Sequence, residues 1–330
     1  MPLTGDQLKN KRVLITGGLG FIGSNLALRL VETGADVLLV DSMIPEFGGN
    51  WFNIAGIKDR VRVNISDVRD EHSMRYLVQG REYLFNLAGQ TSHMDSMRDP
   101  VSDLEINCRA QLSILEACRR HNPEIKVVFA STRQVYGKPD YLPVDEKHLL
   151  RPVDVNGINK MAGEWYHILY NNVYGIRACA LRLTNTIGPR MRVKDARQTF
   201  LGIWIRCLVE GKPFAVWGGE QLRDFTYVDD AVEALILAAT SDAANGRIFN
   251  LGGDGVVSLK ELARLLVEAN GGGDFTVQEF PKDRKIIDIG DYYTDFTLIK
   301  SVLGWEPKVP LREALARSVA FYRLNLKHYA

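Results

Sequence analysis

The run Thr16-Gly17-Gly18-Leu19-Gly20-Phe21-Ile22-Gly23 carries the densest chemical signal in the chain. Glycines at 17, 20 and 23 permit a tight turn, a close backbone approach to phosphate oxygens, and close packing of a helix on a strand. The run follows the strand pattern Val13-Leu14-Ile15 and opens an amphipathic helix, with Phe21 and Ile22 in its first turn. A helix N-terminus presents unpaired N–H groups and a positive dipole end, so the loop is a candidate cradle for a pyrophosphate. Asp41, followed by Ser42, closes the second strand pattern. A carboxylate there accepts both hydroxyls of an adenosine ribose and repels a 2′-phosphate, which favours NAD over NADP. Asp67 and Val68 follow the third strand pattern and are candidates for the adenine edge; a solvated loop Asp fits the same position almost as well.

Such a cradle needs a sheet behind it. Up to about Leu183, short β-branched runs at 12–15, 37–40, 61–64, 83–87, 126–130 and 176–183 alternate with helical patterns such as 21–33 and 101–121. This alternation predicts an α/β fold, a doubly wound parallel sheet of the Rossmann type with helices on both faces. After Leu183 the pattern loosens into helical stretches at 198–210, 229–240, 258–269 and 311–324 among short strands and Gly- or Pro-bearing turns. We read residues 1–183 as the dinucleotide-binding domain and 184–330 as a smaller C-terminal α/β substrate lobe, with some segments returning to the first domain. Gly271-Gly272-Gly273 reads as a turn.

Composition removes several classes of function. The 330 residues are 46% hydrophobic and 25% charged, with 41 Lys+Arg against 40 Asp+Glu. A formal net charge of +1 gives no footprint for non-specific nucleic-acid binding. The apolar runs are too short to cross a bilayer, and residues 1–11 are too polar for a secretory signal. Cys108, Cys118, Cys179 and Cys207 are scattered without metal-type spacing, so they read as reduced thiols of a cytoplasmic protein with no metal site.

Further along, several segments succeed one another in a telling order: Asn86-Leu87-Ala88-Gly89-Gln90, Asn107, Ala130-Ser131-Thr132, Val135-Tyr136-Gly137, Lys160-Met161-Ala162-Gly163-Glu164, Arg182-Leu183-Thr184-Asn185, Arg223-Asp224-Phe225-Thr226-Tyr227-Val228-Asp229-Asp230 and Gly304-Trp305-Glu306-Pro307. With the glycine loop and Asp41, they resemble the extended short-chain dehydrogenase/reductase family, the NAD-dependent nucleotide-sugar epimerases and dehydratases. The resemblance covers nearly the whole chain. The stretch from Ala88 to Thr91 and the Ser96…Pro100 segment look most like the CDP-dideoxyhexose 2-epimerases, with the UDP-glucose 4-epimerases beside them.

The resemblance implies transient oxidation: bound NAD takes a hydride from a sugar carbon while a base takes the hydroxyl proton, and the hydride is then returned. It implies that Leu87, Ala88, Gly89, Asn107 and Lys160 contact the cofactor. It implies that Thr132 hydrogen-bonds the reacting hydroxyl, and that Thr91, Asn185, Arg223 and Tyr227 contact a nucleotide-diphosphate sugar. Helices at 101–121 and 155–174 have apolar faces that pair across a two-fold axis in the relatives, which implies a homodimer; burial within one chain fits the same pattern.

One departure is central. Where the family carries its base Tyr, four residues before Lys160, this chain carries Asn156. An amide has no useful proton affinity at neutral pH. Either another group takes the proton, or the chain binds its ligands without turnover, or the substitution was introduced to trap a complex. His93 follows the fourth strand, on the ligand side of an open α/β sheet, and titrates in the right range; a loop His satisfied by backbone fits equally well. Tyr136 reads as a packing residue; Lys160 itself or a water chain is also open. Arg133-Gln134 follow Thr132 where dehydratases carry an acid, which argues for epimerisation or simple oxidation over dehydration. Asp288 stands where the family often has a phosphate-gripping Arg, unless Arg284 or Lys285 compensates. Arg190, Arg192, Lys194 and Arg197 form a basic cluster that is either an anion-facing patch or a solvated loop.

Overall fold

The computed structural model describes residues 6–330, apart from the side chains of Asp6, Asp283 and Arg284; residues 1–5 of the polar N-terminal segment lie outside the described residues. Six strands, β1 (Arg12–Thr16), β2 (Asp36–Asp41), β3 (Arg62–Ile65), β4 (Tyr83–Asn86), β5 (Lys126–Thr132) and β6 (Ala178–Leu183), form a parallel sheet. A seventh, Ile248–Leu251, adds to β6, giving the spatial order Ile248–Leu251, β6, β5, β4, β1, β2, β3. The order reverses between β1 and β4, which is where open sheets of this kind hold ligands. The expected doubly wound Rossmann-type fold is therefore the observed one.

The helices are α1 (Phe21–Glu32), α2 (Glu71–Leu77), α3 (His93–Arg98), α4 (Pro100–Leu104), α5 (Ala110–His121), α6 (Val155–Tyr174), α7 (Phe200–Val209) and α8 (Val228–Thr240). One face of the sheet packs Val13, Ile15, Leu39 and Phe85 against Leu26 and Leu30 of α1 and Leu235 of α8. The other face packs Leu14, Leu84 and Val127 against Met74 of α2, Ile114 and Leu115 of α5 and Tyr170 of α6. The strands are buried on both sides, so they read as continuous apolar runs rather than alternating ones. A separate core joins α7 to the helices Leu259–Ala269 and Leu311–Asn325.

The helical pattern at 101–121 is not one regular helix. A π-helical turn, Glu105–Arg109, separates α4 from α5 and carries Asn107. His93 is not in an open loop; it begins α3, whose N-cap Ser92 accepts the Asp95 N–H.

Candidate functional site

At the switch point, Thr16 ties β1 to β4. Its hydroxyl donates to Asn86 Oδ1 at 2.9 Å and accepts from the N–H groups of Leu87 and Ala88. The glycine loop is stitched to β2: the Gly18 N–H donates to Val40 O at 3.2 Å, and the Leu19 N–H donates to Asp41 Oδ2 at 3.0 Å. Gly17 has φ +68°, where a Cβ would be strained, and a Cβ on Gly23 would lie 2.2 Å from the Gly17 carbonyl oxygen. No side chain caps α1, so its first N–H groups face the loop unsatisfied by side chains.

The cleft above this turn is lined by Gly17, Gly20, Phe21, Ile22, Gly23, Asp41, Ser42, Asp67, Val68, Leu87, Ala88, Gly89 and Thr91, all anticipated from the sequence. Ile44, Phe47, Ser66, Ile106, Ala130 and Gln198 also line it and were not anticipated. Asp41 is nearly buried; burial raises its carboxyl pKa, while N–H bonds from Met43 and Leu19 oppose the shift. Asp67 is held below the usual carboxylate range: burial pushes it up, but bonds from Arg69 outweigh that.

Lys160 and Asn107 stand behind the cleft at Gly89. A Cβ on Gly89 would lie 2.9 Å from Lys160 Nζ and 2.8 Å from Asn107 Oδ1. The space is one that only a glycine leaves free, and Asn107 Oδ1 is buried without a hydrogen-bond partner. Lys160 Nζ donates to Ala130 O at 3.1 Å and lies 4.9 Å from the centre of the Phe129 ring. Burial pushes the ammonium pKa down to about 8, with Asp103 opposing. The uncapped helix start, the glycine turn and this cationic corner fit a dinucleotide: the loop and α1 for the pyrophosphate, Asp41 for a ribose, Lys160 and Asn107 for the far end.

Asn156 does not line the cleft. Its amide is buried and donates to Gln90 O at 2.8 Å and Asp103 Oδ2 at 3.0 Å. Asp103, fully buried, also accepts from Asn107 at 3.0 Å and Asn159 at 2.8 Å. Three amides therefore converge on one carboxylate, a network that the sequence reading missed. Asp103 gives no sequence signal of its own; its partners come from α6 and the π turn.

His93 is placed differently. Its Nδ1 lies 3.0 Å from Oδ2 of Asp154, whose side chain is completely buried, whereas the imidazole is 38% exposed. The contact is close, although it falls outside hydrogen-bond geometry. Asp154 is the N-cap of α6: its Oδ1 accepts the Gly157 N–H at 2.7 Å, and its Oδ2 accepts Gln134 Nε2 at 3.0 Å. Burial would raise the Asp154 carboxyl, but these donors and His93 hold it below the ordinary value. Asp154 was missed too, although an Asp before a helical pattern is an N-cap signal.

Thr132, at the carboxyl end of β5, is partly exposed and accepts the Gln134 N–H, so its O–H proton remains available. Tyr136 is fully buried, donates to Asn250 at 2.7 Å and accepts from Arg182 at 2.6 Å; burial raises its phenol pKa, which suits a structural role. Asn185 accepts from Arg133 at 3.2 Å. Arg223 is buried, donates to Leu222 O and Gly290 O, and lies 3.4 Å from Asp288. Tyr227 is buried with the Arg317 guanidinium 5.4 Å from its ring centre. Arg190, Arg192 and Arg197 are tied to Asn25, Asp195 and Asp95, so they fasten loops; Lys194 is exposed. Lys285 is exposed, and the Arg284 side chain lies outside the described residues. Among the described residues no His, Cys, Asp and Glu group could hold a metal, and no helix is long and apolar enough to cross a membrane.

The model of the NAD-dependent epimerase/dehydratase family matches residues 13–252. The chain is 31% identical over 314 residues to a UDP-glucose 4-epimerase of Mycolicibacterium smegmatis, covering 94% of this chain and 98% of the relative. It is 31% identical over 316 residues to a dTDP-glucose 4,6-dehydratase of Streptomyces griseus, covering 94% and 93%. The Thermus thermophilus UDP-glucose 4-epimerase, solved in complex with NAD, superposes with a TM-score of 0.83 at 28% identity, covering 94% of this chain and 99% of that one. As the resemblance of its motifs implied, the chain belongs to the NAD-dependent epimerase/dehydratase family, and NAD is the cofactor.

Proposed function

We propose that the protein is a nucleotide-sugar epimerase in which His93, oriented by Asp154, takes the proton that Asn156 cannot. The observation that carries this reading is the 3.0 Å contact between His93 Nδ1 and a buried carboxylate. With Nδ1–H turned to Asp154, the neutral ring keeps its lone pair on Nε2, which has no partner among the described residues. The carboxylate faces Nδ1 and so favours the tautomer that carries its proton there. Thr132 donates to or accepts from the reacting hydroxyl, and Lys160 holds the nicotinamide ribose. NAD, when bound, supplies the acceptor for a hydride from the sugar carbon and returns it.

Epimerisation is favoured over dehydration by the residues next to Thr132. Arg133 is a cation, Gln134 is an amide bonded to Asp154, and Asp154 is held ionised, so no group there protonates a leaving hydroxyl at neutral pH. We also propose a homodimer. Ile158, Trp165, Leu169 and Val173 form an apolar stripe along α6, each about half exposed, and Val101 and Leu104 of the adjoining α4 extend it.

The test is turnover of UDP-, dTDP- and CDP-glucose by the NAD-loaded protein. An epimerase converts one of them without net NADH; a net oxidoreductase accumulates NADH; a binding module does neither. His93→Ala should lower kcat by roughly 10²–10⁴ while nucleotide-sugar binding persists. Wild-type turnover in His93→Ala would remove His93 from the reaction.

A further inference from the structure

Arg133 occupies an unusual position. It comes directly after Thr132, at the carboxyl end of β5, the edge at which open α/β sheets hold ligands. The guanidinium carbon lies 5.1 Å from the centre of the Tyr292 ring. Nη2 donates to Asn185 Oδ1 at 3.2 Å. Nη1 is buried with no hydrogen-bond partner, and so is Asn185 Nδ2. Among the described residues Arg133 makes no ion pair.

Burial pushes the Arg133 pKa down even though Asp224, Asp288 and Asp154 favour its charge from a distance, and no carboxylate among the described residues touches it. Arg223 lies close enough for Arg133 to depress the Arg223 pKa, which burial and Arg133 together push down to about 10. The carboxylate in contact with this pair, Asp288, touches Arg223. Asp224 is committed to Thr184 and the Thr294 N–H. Asp154 is committed to His93, Gln134 and α6. Two guanidinium groups thus share one contacting carboxylate. A buried cation with no carboxylate in contact is costly, and buried N–H groups rarely stay unpaired.

We propose that Arg133 and Asn185 together form an oxyanion fork that reads an anionic group of the substrate. The Nη2–Oδ1 bond locks the two side chains to each other, so the free donors Nη1 and Nδ2 are presented as a pair, matching two oxygens of one carboxylate or phosphate. The anion is either a carboxylate on the sugar or the diphosphate, whose family Arg is replaced here by Asp288. This inference rests on the nucleotide-sugar reading for the identity of the ligand. It does not depend on the proton acceptor.

The experiment is calorimetric titration of the NAD-loaded protein with inorganic pyrophosphate, glucose 1-phosphate and glucuronate 1-phosphate, for the wild type and Arg133→Gln. A diphosphate source predicts about a tenfold loss of pyrophosphate affinity in the variant. A sugar carboxylate predicts that glucuronate 1-phosphate binds the wild type more tightly than glucose 1-phosphate, and that Arg133→Gln abolishes the difference. The ligand-free variant should melt no lower than the wild type, because a buried charge with no contacting carboxylate has gone. Should it fail to fold, Arg133→Lys decides: it keeps the charge, loses the fork, and should bind several-fold more weakly. Variant binding equal to wild type for all three probes, or no wild-type binding to any, overturns the proposal. None of these titrations needs hydride or proton transfer, so a failed turnover assay and a failed fork are told apart.

Discussion

Asn156 stands where the motif resemblance implies a proton acceptor, and the structure gives it other work. Both of its amide hydrogens are used, on Gln90 O and Asp103, inside a buried cluster that also holds Asn107 and Asn159. Asn156→Tyr should therefore cost stability on the order of 1–3 kcal/mol, because it strips a donor from a buried carboxylate. Chemical denaturation measures that loss. NAD affinity should be unchanged and turnover should not rise; activity seen only in the Tyr variant would defeat the role given to His93. The position was singled out in the sequence only through the resemblance, by its spacing from Lys160. Its surroundings were not, because Gln90 and Asp103 reach it only through the folded chain.

Helix α6 organises the site. Its start is fixed by Asp154, its first turns carry Asn156 and Lys160, and its middle carries His167. His167 is fully buried and stacked on Phe129, with ring centres 4.4 Å apart. Nδ1 lies 2.7 Å from Gly163 O and Nε2 lies 3.3 Å from Asn86 Nδ2, so the ring serves as donor on one side and acceptor on the other, which is the neutral form. Burial, with Lys160 nearby, pushes its pKa down to about 4 from 6.5. Between those values the unfolded chain binds a proton that the folded chain does not, so stability falls as pH falls through this window. The loss is on the order of 3 kcal/mol. Unfolding measured from pH 7 to 4 should show a shallower decline for His167→Gln than for the wild type; parallel curves would contradict the burial argument. The sequence pattern reproduced α6 at 155–174 through its apolar spacing alone, and the cap Asp154 and the left-handed Gly175 bound the helix at those ends. It missed the π turn at Glu105–Arg109, because one inserted residue barely disturbs the apolar spacing through Ile106, Ala110 and Ile114.

At the scale of the molecule, the outward stripe of α6 bears on assembly. Trp165→Glu should convert a wild-type dimer into a monomer in sedimentation while NAD binding persists; a monomeric wild type would refute the paired state. The parallel, doubly wound character of the sheet was legible, since strand–helix alternation with right-handed crossovers leaves few arrangements. The four-residue strand Ile248–Leu251 was not, because a segment this short after a long excursion carries little periodicity to read. Finally, Asp154 both anchors the first turn of α6 and holds His93. From Asp154 to Lys160 is six residues of helix, a rise of about 9 Å. On the proposed reading, moving the acid–base duty to α3 keeps the imidazole against the N-cap of the same helix that carries Lys160. A lineage can then exchange the side chain that handles the proton without recalibrating its reach to the coenzyme.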